Sequence, residues 1–77
     1  MEFACKIISH IATLSDSEEY TKEVNLIAYR KNEPKIDIRR WKKEKDEKKL
    51  LKGIALTYDE AITLMQALQN FFANEEK

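Results

Sequence analysis

The stretch Lys35 to Trp41, Lys-Ile-Asp-Ile-Arg-Arg-Trp, follows Pro34 and constrains the fold of this chain more than any other segment. Side chains on a strand repeat every two residues, so alternation puts Ile36, Ile38 and Arg40 on one face and Asp37, Arg39 and Trp41 on the other. The first face reads as buried. The second sets a planar cation beside a large flat ring, a pair that can hold phosphate oxygens and stack a base.

Seventy-seven residues make one domain, and a domain this small buries only about 60% of the surface its unfolded chain exposes. Its core is marginal, and dimerisation would help. The chain is electrically neutral, with 14 basic and 14 acidic residues, but the charges are not mixed evenly. Residues 1 to 29 carry a net charge of minus 3, residues 30 to 52 plus 6, and residues 53 to 77 minus 3. A basic middle between acidic ends is compatible with a positive face, because the local field captures a polyanion more than the total does. The octet Lys42 to Lys49 within that middle mixes both signs without an apolar anchor and reads as a solvated loop. No segment approaches the roughly 20 apolar residues that span a membrane, and the first residues lack a signal-peptide layout, so a cytosolic protein is expected. Cys5 has no second cysteine for a disulfide or a zinc site and reads as a small buried apolar residue. No cofactor is implied.

Taken in order, Phe3 to Leu14 reads as a long first strand, with a bulge or bend where its apolar parity changes. His10 lies within it as a structural or surface residue, there being no second histidine for a metal site. Ser15 to Tyr20 is a polar, acidic connection. Lys22 to Arg30 is the second strand, with Val24, Leu26 and Ala28 on one parity and Asn25, Ile27 and Tyr29 on the other. Lys31 to Pro34 supplies turn chemistry, and Lys35 to Lys43 is the third strand. A fourth runs from about Leu50 to Thr57, where Gly53, the only glycine, suggests a bulge or a close backbone approach. Strict parity would put Lys52 beside Ile54 and Leu56, so the bulge re-aims it or the strand has left the core there. Thr57 followed by Glu60 is a capping box, with Asp59 favouring the positive end of the dipole. The helix runs from about Tyr58 to Phe72, with an apolar stripe through Ala61, Leu64, Met65, Leu68, Phe71 and Phe72. That stripe is wider than one small sheet needs, which leaves part of it for a partner subunit.

Four strands and a C-terminal helix, with Lys22-Glu23-Val24-Asn25-Leu26, Glu33-Pro34-Lys35-Ile36-Asp37-Ile38-Arg39-Arg40-Trp41 and Lys52-Gly53-Ile54-Ala55-Leu56-Thr57, resemble the positive-cofactor-four type of transcriptional coactivator domain. The likeness extends over roughly Ile8 to Leu68 and is nearest to the short bacterial YdbC-like branch. It implies an α+β fold, a strongly curved four-stranded antiparallel sheet followed by one helix, homodimeric through that helix. It also implies binding of single-stranded DNA across the curved sheets, with RNA left open. Carried over by position, Arg39 matches the arginine of Asp-Ile-Arg, Lys52 the basic residue before the motif glycine, and Tyr29 an aromatic ending the second strand. Trp41 matches the aromatic of the bacterial branch, although Lys42 stands where the coactivator branch keeps another aromatic. Lys22, in the first matching stretch, completes the expected contact set.

A purely structural account of the same residues pairs Arg39 with Asp37 or a cross-strand acid, puts Trp41 into a dimer core and leaves Tyr29 an ordinary strand aromatic. If the contact account holds, Arg39→Ala and Trp41→Ala weaken binding and leave the melting temperature nearly unchanged. An enzyme is not expected, since one histidine, one cysteine and no glycine-rich loop leave nothing to mark a catalytic arrangement. The rival function is a protein-interaction module that docks through the helix stripe and the basic hairpin.

Overall fold

The computed structural model describes residues 5–29 and 32–75. Four strands, β1 (Cys5–Asp16), β2 (Tyr20–Tyr29), β3 (Lys35–Glu44) and β4 (Glu47–Leu56), precede one helix, α1 (Tyr58–Glu75). The strands form a single antiparallel sheet in chain order, a meander that needs only short connections. Expectations that fall on Phe3, Ala4, Arg30 and Lys31, and on the burial of Cys5, lie outside the described residues.

The charged octet differs from expectation. Lys42 to Lys49 is not a loop: β3 and β4 run through it and leave only Lys45 and Asp46 as the turn, with Lys42 opposite Lys49, Lys43 opposite Lys48 and Glu44 opposite Glu47. Cross-strand hydrogen bonds of an established hairpin carry the ladder on, despite three like-charged pairs that each work against it. The same extension carries β1 to Asp16 and starts β2 at Tyr20.

The expected parity change in β1 takes the form of three register shifts against β2, between Ile7 and Ser9, His10 and Ala12, and Thr13 and Ser15. A fourth shift lies in β4, where Leu51 and Lys52 together stand opposite Arg40. Extra residues bend a strand and increase its twist, and here they curl the sheet. In a flat sheet β1 and β4 would lie about 14 Å apart. Instead Ile7 of β1 and Leu50 of β4 line one cleft with Trp41, and Lys48 of β4 reaches across β3 to Glu23 of β2 at 2.7 Å.

Gly53 is required beside this bulge. It pairs with Arg39, and a Cβ there would run into the Arg39 Cβ and would lie 2.6 Å from the Ile38 carbonyl oxygen and 2.7 Å from the Arg39 Cα. Only a residue without a side chain lets β4 approach β3 at that point.

The helix starts on the capping box, with the Thr57 amide donating to Glu60 Oε1 at 2.9 Å and the Glu60 amide donating to Thr57 Oγ1 at 3.1 Å. It approaches only β3 and β4 and has no buried residue among those described. Between it and the sheet lies an open cleft of about 830 Å³, bordered by Leu14, Val24 and Ile38 below and by Leu64, Leu68 and Phe72 above.

Candidate nucleic-acid interface

Cross-strand partners share a face, so register decides which side chains meet. Thr21 pairs with Trp41, Glu23 with Arg39, Asn25 with Asp37 and Ile27 with Lys35. Thr21, Glu23, Asn25, Ile27, Asp37 and Trp41 are the buried residues among those described, and all six lie on this one concave face. The parity of Lys35 to Trp41 is as predicted, but the burial of its two faces is not. Ile36 and Ile38 are only half-buried and Arg40 is exposed, while Asp37 and Trp41 are enclosed. The curl of the sheet closes the polar face, and among the described residues α1 leaves the apolar one open.

Arg39 is not a displayed fork. Its Nε and Nη2 donate to the two Asp37 carboxylate oxygens at 2.7 and 2.6 Å, and Nη1 donates to the Leu51 carbonyl at 2.9 Å. The Tyr29 hydroxyl donates to Asp37 at 3.4 Å and accepts from Arg39 at the same distance. Asp37 is fully buried and the Arg39 side chain is 13% exposed, so this pair works mainly inward, with excellent two-pronged geometry. Further along the face Thr21, Asn25 and Lys48 all donate to Glu23, at 2.6, 3.4 and 2.7 Å. Burial pushes the Glu23 carboxyl up, but those donors and the Lys48 charge outweigh it and hold the group below the ordinary carboxylate range. His10 extends the network, with Nδ1 2.7 Å from Asn25 Oδ1 and Nε2 3.0 Å from Thr13 Oγ1. Since Asn25 Oδ1 can only accept, His10 Nδ1 carries a proton. The sequence offered one signal for this network, namely that Thr21, Glu23 and Asn25 share a strand parity.

Trp41, 8% exposed, stands in the same face, and its Nε1 is a buried donor without a partner among the described residues. Beside it opens a cleft of about 730 Å³, floored by Trp41, Ile7 and Leu50 and bordered by Lys48, Lys49, Glu44 and Glu47. Of the five residues expected to meet a ligand, Tyr29, Arg39 and Trp41 therefore come together. Lys22 does not join them: it pairs with Arg40 on the opposite, outer face, where it is exposed. Lys52 is exposed and stands in the bulge opposite Arg40.

The cations divide by face. On the concave side Arg39 is paired with Asp37, Lys43 with Asp16 at 2.7 Å, and Lys48 with Glu23. On the outer side Lys22, Lys42 and Lys49 make no ion pair among the described residues, nor does Lys52 in the bulge. Arg40 there lies over the Tyr20 ring, 4.4 Å from its centroid. Among the described residues no group of three or more His, Cys, Asp or Glu could hold a metal ion, and no helix is long and apolar enough to cross a membrane.

A curled antiparallel meander with a polar, partly charged concave face and one trailing helix defines a small α+β domain of β-β-β-β-α order. The family model described as Transcriptional Coactivator p15 (PC4) matches residues 17–67, from the β1–β2 turn to the middle of α1, and the chain belongs to that family of nucleic-acid-binding coactivators. No curated protein matches the chain.

Proposed function

We propose that this protein binds single-stranded DNA with little sequence preference, as a homodimer, serving transcription, replication or repair, and that it represents the short bacterial YdbC-like branch of its family. The observation that carries this reading is the cleft beside Trp41, which combines an aromatic and aliphatic floor for a base with lysines at its border for the backbone. It opens on the face that holds Tyr29 and Arg39, while Lys22 and Lys52 supply cations outside it. The branch assignment is supported by Trp41 directly after Arg39-Arg40 and by Lys42 after it.

The dimer is supported by surface area. The chain exposes 6361 Å², where a compact monomer of its 9.1 kDa mass would expose about 4,900 Å². Its radius of gyration is 14.4 Å against about 11.5 Å for a compact domain of this length. The excess of about 1,500 Å² per copy is what an obligate homodimer buries on each side. The surface to cover is apolar: Ile11, Leu14, Leu68 and Phe72 are each about half exposed around the cleft beneath α1. A second copy laying its own apolar helix there would complete the core that the single chain lacks.

Two measurements check this reading. Sedimentation equilibrium at micromolar concentration should return about twice the 9.1 kDa chain mass, and a clean monomer would refute the dimer. Fluorescence anisotropy with labelled oligo(dT), at two salt concentrations and with a duplex of equal length as competitor, should show binding that the duplex does not displace. The logarithm of the affinity should fall against the logarithm of salt with a slope of about 0.7 per phosphate neutralised. Absence of salt-dependent binding at micromolar protein and low salt would sink the nucleic-acid reading. RNA is the second ligand to titrate, since neither backbone contacts nor stacking discriminate against it by themselves.

A further inference from the structure

We infer that the nucleic-acid strand held at the Trp41 cleft turns around the β4 edge and continues over the hairpin end of the outer face, along Lys49, Lys42, Arg40 and Lys22, short of the Val24 and Ile38 pair that borders the cleft beneath α1. This rests on the proposed function and extends it to a surface that the Arg39 and Trp41 motif does not reach.

Three observations support the path. The first is connection: Lys49 borders the Trp41 cleft and, in β4, stands directly opposite Lys42 on β3. Lys42 pairs on its other side with Tyr20, and two residues back along β3 Arg40 pairs with Lys22. These residues form two adjoining rows of one face, and same-face rows along a strand are about 6.8 Å apart, a step that an extended sugar–phosphate chain can follow phosphate by phosphate.

The second is charge. The concave cations are consumed by Asp37, Asp16 and Glu23, whereas Lys22, Lys42 and Lys49 have no acidic partner among the described residues. Arg40 is held over the Tyr20 ring at 4.4 Å, which orients its planar fork without neutralising it. Lys52, exposed in the bulge opposite Arg40, adds a further cation on the same edge. Glu44 and Glu47 occupy the hairpin tip beyond Lys42 and Lys49, where they also border the cleft, and the path leads away from them towards Arg40 and Lys22.

The third is that the arrangement works against folding. Lys42 and Lys49 face each other on neighbouring strands with no acid between them, and like charges directly opposite destabilise a sheet. A polyanion bridging them removes that repulsion. Stability and binding therefore pull in opposite directions at these positions.

The test is oligo(dT) titration of the full chain and of the variant Lys22→Gln/Lys42→Gln, both substitutions lying away from the cleft. The salt slope should fall by about 1.4, two cations at about 0.7 each on a single strand, and affinity at low salt should drop about tenfold. The melting temperature should stay the same or rise by a few degrees, and Lys22→Arg/Lys42→Arg should restore the slope. If the parent binds and the glutamine variant keeps both slope and affinity, the outer path is wrong and the cleft alone suffices. If the parent binds neither oligo(dT) nor duplex, the proposed function and this extension fall together.

Discussion

Arg39→Ala should lower the melting temperature by about 15 °C or more, and at 37 °C the variant should be largely unfolded. The Asp37 carboxylate is fully buried and takes both of its short hydrogen bonds from Arg39. Truncation leaves that charge in the sheet with only the Tyr29 hydroxyl at 3.4 Å among the described residues, and it also takes a donor from the Leu51 carbonyl. Breaking one partner of a buried ion pair costs about 3–5 kcal/mol, and in a domain of this size each kcal/mol is about 4–8 °C of melting temperature. The double variant Arg39→Leu/Asp37→Leu should recover most of the loss, because it removes both charges together and keeps apolar volume. Thermal melts followed by circular dichroism give the answer, and an alanine variant that melts within about 3 °C of the parent would refute this role for the pair. Oligo(dT) binding by the recovered double variant then separates a phosphate contact of Arg39 from its structural duty, a separation that the expectation of an unperturbed fold in Arg39→Ala would have missed.

Trp41→Ala should cost about as much, roughly 3–5 kcal/mol for truncating a large buried aromatic, and should empty the floor of the cleft. Trp41 is 8% exposed and is one of only two buried hydrophobic residues among those described, the other being Ile27. Trp41→Phe should behave differently. It keeps an aromatic floor and removes Nε1, a buried donor without a partner among the described residues, whose desolvation works against the folded state. The phenylalanine variant should therefore melt within a few degrees of the parent and keep most of its affinity for oligo(dT). If it folds normally and binding collapses, the indole N–H itself meets the ligand. If Trp41→Ala folds like the parent, the ring is not part of the core.

The local features of the fold were legible because each is written in a few neighbouring residues. The capping box at Thr57 and Glu60, the bulge beside Gly53 and the broken parity of β1 all depend on contacts within a short span, and the structure has them where the residues imply them. The charged octet departs from its composition for the converse reason. Its composition is that of a loop, but its conformation is set by pairing that begins at Ile36 with Leu56 and continues outward through each next pair. Among the candidate site residues, Tyr29, Arg39 and Trp41 share a face as alternation requires. Lys22 joins them only by likeness of linear motif, and the pairing of Lys22 with Arg40 shows that it stands on the other side.

By itself the sequence determined the number of strands, the helix and its cap, and which residues share a face, since these follow from a period of two or 3.6 residues and from local hydrogen bonding. Only the tertiary structure decided which face is closed. The Ile36 and Ile38 face looked like the core because it is apolar, yet burial is a property of what lies across from a surface. Four register shifts curl the sheet over Asn25, Asp37 and Trp41, and the helix stands off the apolar side without burying a residue. Long-range geometry thus enclosed the polar network and left the apolar face open among the described residues.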